Sequence, residues 1–123
     1  MSEKTILIVE DNEINMTLLK DIVQRLGYNT IEARDAESAI KLAYEKVPDL
    51  ILMDIRLPGM DGLEATKILK STPETSRIPV IAVSASAFER DIRKALAAGC
   101  KAYITKPLNY DEFVKTVQEF LEK

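Results

Sequence analysis

Five times along this chain, a short run rich in Val, Ile and Leu gives way to a stretch of helical periodicity, and few folds accept that alternation. Four of the runs stop at polar residues. Ile6-Leu7-Ile8-Val9 leads into Glu10 and Asp11, and Leu50-Ile51-Leu52-Met53 into Asp54. Val80-Ile81-Ala82-Val83 ends at Ser84, and Ala102-Tyr103-Ile104-Thr105 leads to Lys106. Short apolar runs separated by helices read as buried strands of a parallel sheet. Parallel strands share one C-terminal edge, where open α/β sheets bind their ligands. Residues almost a hundred positions apart are therefore expected to meet in one site of carboxylates, a hydroxyl and an ammonium.

The pattern predicts strands over 5–10, 28–33, 49–54, 79–83 and 101–105, with helices over 13–26, 36–46, 62–70 and 87–98. Ile14, Leu18, Ile22 and Leu26 stack on one apolar face of the first helix, which Gly27 is placed to end. Asp35 can cap the second helix, and Pro48 prevents it from continuing. Asp61 with Glu64 gives a capping-box-like start to the third, after the turn-forming Leu57-Pro58-Gly59-Met60. A polar loop spans Ser71–Arg77, and Gly99 closes the fourth helix. Asn109 and Glu112 open the last helix, with Leu108 and Phe113 spaced as a hydrophobic staple. The second run is more polar and alternating, which suits a sheet edge; the first, third and fourth belong at the centre. Right-handed βαβ crossovers then place helices on both faces. The expected fold is a doubly wound, five-stranded parallel α/β sheet of flavodoxin-like order 2-1-3-4-5.

At 123 residues the chain is long enough for one domain with a real core, and residues 1–123 leave nothing over for an output module. From Met1 to Leu121-Glu122-Lys123 it reads as a natural stand-alone chain. A net charge of -3 argues against direct binding of nucleic acid, which needs basic patches. No apolar stretch is long enough to span a membrane and no leader precedes the first strand, so a cytoplasmic protein is expected. The lone Cys100 cannot form an internal disulfide and reads as a buried small hydrophobe. The chain contains no His, which removes His-based triads, His general bases and most zinc or iron sites. Any imidazole chemistry has to come from a partner.

Glu10, Asp11 and Asp54 would repel one another at close quarters unless they hold protons or share a cation. Oxygen ligands alone suit a hard divalent ion, and Mg²⁺ fits best. Lys106 supplies a point charge and Ser84 a hydroxyl donor. A metal, a cation and donors around developing negative charge are what phosphoryl transfer requires. An Asp carboxylate can itself accept the group, and either Asp11 or Asp54 could serve. Taken singly, each residue has an ordinary reading: Asp11 as a helix cap, Ser84 as a turn residue, Lys106 as a solvated charge. Their joint occurrence at four strand ends favours the site.

Glu10-Asp11, Met53-Asp54-Ile55, Leu57-Pro58-Gly59-Met60-Asp61-Gly62, Ser84-Ala85 and Lys106-Pro107, in that order, resemble the receiver domains of two-component response regulators. The resemblance covers the whole chain. It implies that Asp54 is the phosphoacceptor, and that Glu10, Asp11, Asp54 and the backbone carbonyl of Arg56 bind Mg²⁺, with Mn²⁺ as a substitute. It also implies that Lys106 and Ser84 contact the phosphoryl group, that Tyr103 is an aromatic switch, and that the Lys106-Pro107 bond is cis. The Glu10–Asn15 stretch resembles receivers of hybrid kinases and of stand-alone DivK-type cell-cycle regulators. Ser84 stands where Thr is also common. Arg56 occupies a position where many members carry a smaller neutral side chain, and Ser86 is small and uncharged; these two are expected to tune phosphoryl lifetime.

The implied protein is a phosphoacceptor switch that catalyses its own phosphorylation and slow dephosphorylation, with no activity on other molecules. Its phosphodonor is a histidine kinase or histidine phosphotransfer protein. A downstream protein partner would read the face made by the fourth helix, last strand and last helix, with Tyr103 turning inward as Ser84 is drawn to the phosphoryl oxygens. A receiver cut from a hybrid kinase would have the same sequence features. A Mg²⁺-dependent Asp-nucleophile phosphohydrolase is the enzymatic rival, but it usually carries a second acid where Arg56 stands. A flavin or nucleotide module lacks its Gly-rich loop here, and a scaffold indifferent to phosphorylation has no use for clustered carboxylates.

Overall fold

Strand and helix alternate in the order β1 (Thr5–Val9), α1 (Glu13–Arg25), β2 (Asn29–Ala33), α2 (Ala36–Lys46), β3 (Leu50–Asp54), α3 (Gly62–Ser71), β4 (Val80–Ser84), α4 (Glu89–Ala98), β5 (Ala102–Thr105) and α5 (Tyr110–Leu121). These elements come from a computed structural model that describes residues 3–122. Met1 and Lys123, read above as the ends of a stand-alone chain, lie outside the described residues. All strand pairings are parallel, in the order β2-β1-β3-β4-β5. The expected order therefore holds, with the polar second strand at an edge and the three most apolar strands inside.

Side chains alternate across the pleat, and the two faces bury different sets. Leu7, Val9, Ile51, Met53, Val80 and Ala82 pack with the helix residues Ala39, Ala65, Leu69 and Ala95. Ile6, Ile8, Leu50, Leu52, Ile81 and Val83 pack with Met16, Leu19, Phe113 and Val117. Thus α2, α3 and α4 cover one face while α1 and α5 cover the other. Burying a side chain of Leu, Ile or Phe size contributes about 1.5–3 kcal/mol, so these two layers hold the strand ends in register. Among the described residues, no buried side-chain nitrogen or oxygen lacks a partner. No described helix is long and apolar enough to cross a membrane.

The predicted starts and stops have physical counterparts. Asp35, Asp61 and Asn109 accept from the amides of Ser38, Glu64 and Glu112, each capping its helix. Gly27 adopts φ +96° after α1, where its amide closes the helix on Gln24. Leu108 and Phe113 pack within one apolar layer, as a staple requires. Cys100 is buried in the opposite layer, and desolvation pushes its thiol pKa up.

Two expectations need correction. The face of α1 set against the sheet is Met16, Leu19, Ile22 and Val23, whereas Ile14 and Leu18 are 79% and 47% exposed. A strict four-residue spacing advances about 400° per step, so a stripe drawn through Ile14 and Leu18 rotates off the core. The fourth helix begins at Glu89 rather than at 87. The Ser86 hydroxyl oxygen accepts the Phe88 amide at 3.3 Å and keeps the chain in a turn.

Candidate functional site

The pleat sorts the polar residues at the C-terminal edge before any of them interact. Asp54 follows Leu50 and Leu52 on the α1/α5 side of the sheet, and Glu10 continues the parity of Ile6 and Ile8. Ser84 follows Val80 and Ala82 on the other side, the face shared by Tyr103 of the neighbouring strand, whose register partner is Ala82. The carboxylates and the hydroxyl thus reach the edge from opposite layers.

Glu10 is 1% and Asp54 6% exposed, an unusual burial for carboxylates. Lys106 lies across both: its Nζ donates to Glu10 Oε1 at 2.8 Å and stands 3.6 Å from Asp54 Oδ2. The other Glu10 oxygen accepts the Asn12 amide at 3.1 Å, and Asp54 Oδ1 accepts the Arg56 amide at 3.1 Å. Burial raises the Asp54 pKa from its ordinary 3.8 to about 7, and the neighbouring Glu10 adds to the rise. Lys106 and the Arg56 amide oppose it.

Asp11 completes the cluster from an exposed position. One carboxylate oxygen from each of Glu10, Asp11 and Asp54 lies within 4.8 Å of the others. The ordinary reading of Asp11 as a helix cap does not apply, because Asn12 takes that role by accepting the Asn15 amide at 2.9 Å. A set of oxygen donors, two buried and one open to solvent, fits a hard divalent cation. Arg56 is exposed, and its backbone amide binds the acid cluster.

Ser84, at the end of β4, is 3% exposed, and its Oγ accepts the Ser86 amide at 3.2 Å. Tyr103 stands inward, packed against the apolar layer, and its hydroxyl donates to the Ser86 carbonyl at 2.8 Å. The cis Lys106–Pro107 bond expected from the motif is present. All eight anticipated residues therefore gather at this edge, with Tyr103 and Ser86 behind Ser84 rather than beside the carboxylates.

Sequence reasoning missed three contributors. Asn12 holds Glu10 through its amide, and nothing in its side chain announces that role. A Cβ on Gly62 would press on the Asp54 carbonyl oxygen and lie 2.9 Å from Ile55 Cα. Only glycine lets α3 begin against that strand end, and a glycine directly after the Asp61 cap was the available signal. Asp91, which accepts from the Ser86 hydroxyl, gave no signal beyond being an acid in a first helical turn.

Known proteins share both the pattern and the geometry. The model of the response regulator receiver domain matches residues 6–118. The polar-differentiation response regulator DivK of Brucella anthropi is 48% identical over 118 residues, covering 96% of each chain. Among solved structures, the receiver domain of sensor histidine kinase PA1611 from Pseudomonas aeruginosa, with a magnesium ion coordinated in its active site cleft, superposes with TM-score 0.91. Its identity is 34%, and the match covers 99% of this chain and 100% of that one. The receiver domain of Saccharomyces cerevisiae Ssk1, solved with the histidine phosphotransfer protein Ypd1, matches with TM-score 0.89 and 30% identity over 96% of this chain and 88% of that one. A chain matched over this much of its length, with its acid edge assembled in this way, belongs to the response regulator receiver domain family.

Proposed function

We propose that Asp54 accepts a phosphoryl group from a phosphohistidine and that the whole chain acts as one receiver switch. The observation that carries this reading is the asymmetry of the Asp54 carboxylate. The Arg56 amide engages Oδ1, while Oδ2 faces Lys106 at 3.6 Å. Oδ2 is thus the oxygen left to attack phosphorus. The new O–P bond forms as the N–P bond of the donor breaks, and the departing imidazole takes up a proton. Among the described residues, none orients the exposed Asp11 carboxylate by a hydrogen bond in this way. Lys106 balances charge on the acceptor and on the phosphoryl oxygens, and the Ser84 hydroxyl donates to one of them.

Glu10, Asp11, Asp54 and the Arg56 carbonyl would hold Mg²⁺, with Mn²⁺ as a substitute. Bound there, the cation supplies positive charge where negative charge builds during transfer. The same groups would serve slow self-dephosphorylation. The exposed Arg56 supplies no second acid, which weighs against a phosphohydrolase.

The donor is a histidine kinase or histidine phosphotransfer protein. Exposed Leu18 lines a groove of about 120 Å³ that Lys106, Pro107 and Leu108 share with α1, and this apolar lining, with Ile14 exposed on the same helix, supports docking there. A downstream protein would read the α4–β5–α5 face, where Phe88, Leu96 and Tyr110 are exposed. A cytoplasmic site of action suits a chain whose thiol is free and buried. The test is transfer from a phosphorylated histidine phosphotransfer protein. Labelling of the wild type that is absent from Asp54→Ala and abolished by EDTA is expected; transfer that persists in EDTA would contradict it.

A further inference from the structure

Ser86 is tied at four points. Its amide donates to Ser84 Oγ at 3.2 Å, and its carbonyl accepts from the Tyr103 hydroxyl at 2.8 Å. Its hydroxyl donates to the Asp91 carboxylate, while its Oγ accepts the Phe88 amide at 3.3 Å. These bonds border a cleft of about 90 Å³ lined in part by Arg56, Ser84, Ser86, Asp91 and Tyr103. Asp91 is the point at which α4 reaches back to the end of β4. A carboxylate accepting from a hydroxyl is a charge-assisted bond, stronger than a neutral one.

A serine hydroxyl has one proton to donate and two lone pairs to offer. The Ser86 amide occupies one lone pair of Ser84, which leaves the proton free for an acceptor elsewhere. Resting on the reading of Asp54 as phosphoacceptor, we propose that Asp91 is a positioning residue. Through Ser86 it holds the β4–α4 turn so that the Ser84 hydroxyl is aimed at the phosphoryl oxygens. A preorganised donor is worth about 10²–10³ in rate, and loosening one without removing it forfeits part of that. The same hydroxyl serves the phosphoryl group as it arrives and as it leaves. Both steps should therefore slow together.

The test labels the full chain with acetyl phosphate and Mg²⁺, follows it by intact mass, and then removes the donor to follow decay. Asp91→Ala should slow labelling and decay alike, by about three- to tenfold, and should speed amide exchange at Ser86 and Phe88. Asp91→Asn keeps an acceptor for the Ser86 hydroxyl and should restore near-wild-type rates. Glu89→Ala removes an acid from the same first turn, where among the described residues it pairs with Arg93 alone at 3.8 Å, and should behave as wild type. Ser86→Ala, which also loses the Phe88 bond, should slow both steps at least as much as Asp91→Ala, and the double variant should be no slower than Ser86→Ala. Unchanged labelling in Asp91→Ala, faster decay, additive slowing in the double variant, or an Asp91→Asn as slow as Asp91→Ala would overturn the role of Asp91 while leaving Asp54 as acceptor. A wild type that takes no label would overturn both readings.

Discussion

The Lys106 ammonium donates to the Glu10 carboxylate at 2.8 Å, joining two strand ends that lie 96 residues apart in the chain. Both ends are fixed by the sheet, so the pair forms without a search by flexible loops. Removing one partner of a buried pair leaves an uncompensated charge, at a cost of about 3–5 kcal/mol when burial is complete.

Lys106 keeps part of its side chain in solvent, 21% against 1% for Glu10, so its loss should cost somewhat less. Lys106→Ala is expected to lower stability by about 2–3 kcal/mol in EDTA. Saturating Mg²⁺ should return most of that loss, since the cation replaces the missing positive charge. Urea unfolding with and without Mg²⁺ measures both. An equal loss in the two conditions would contradict a shared acid site.

The raised Asp54 pKa sets a pH window. The folded protein holds this proton up to about 7, while the ordinary value is 3.8. The folded state therefore binds more protons than the unfolded chain between these values, and stability falls as pH rises through them. Below the window Asp54 carries no penalty; above it the penalty is complete. Asp54→Asn cannot ionise, so in EDTA its stability advantage over wild type should grow from pH 4 to about 7 and then level off. A difference that stays flat with pH would show that the carboxylate is not held in this way.

Gly62→Ala should both destabilise the protein and slow labelling. Its Cβ would lie 2.9 Å from Ile55 Cα and 3.0 Å from Met53 Cγ, as well as against the Asp54 carbonyl. Overpacking of this kind costs about 1–3 kcal/mol, and here the strain falls on the backbone that carries the acceptor. Urea midpoints and acetyl phosphate labelling read the two effects. Wild-type behaviour in both would remove Gly62 from the site.

Leu18→Asp separates donor docking from chemistry. Leu18 is 47% exposed, so folding should tolerate the change. Transfer from a phosphorylated histidine phosphotransfer protein should fall at least tenfold, about 1.4 kcal/mol, while labelling by acetyl phosphate is kept. Equal loss with both donors would place Leu18 in the acid site instead of on a docking surface.

Most of the fold was legible because every apolar run sits on a strand and the N-caps predicted at Asp35, Asp61 and Asn109 form through their own side chains. Asp35, Asp61 and Asn109 act locally, so their roles can be read from neighbours in sequence. Ile14 and Leu18 misled because apolar side chains also stand on exposed helix surface, so apolarity alone does not mark the core face. The choice of Asn12 over Asp11 as cap depends on which side chain the acid cluster claims, and only three dimensions decide that. Asp91 was invisible for a similar reason, since its importance lies in a hydroxyl on the preceding turn.

One measurement bears most directly on the acceptor itself. Borohydride reduces an aspartyl phosphate to homoserine, so treatment of the chain after labelling with acetyl phosphate and Mg²⁺, followed by peptide mass mapping, marks the residue that held the phosphoryl group. The account predicts homoserine at position 54 and none at 11. Homoserine at position 11, or a folded Asp54→Ala that still takes up the label, would contradict it.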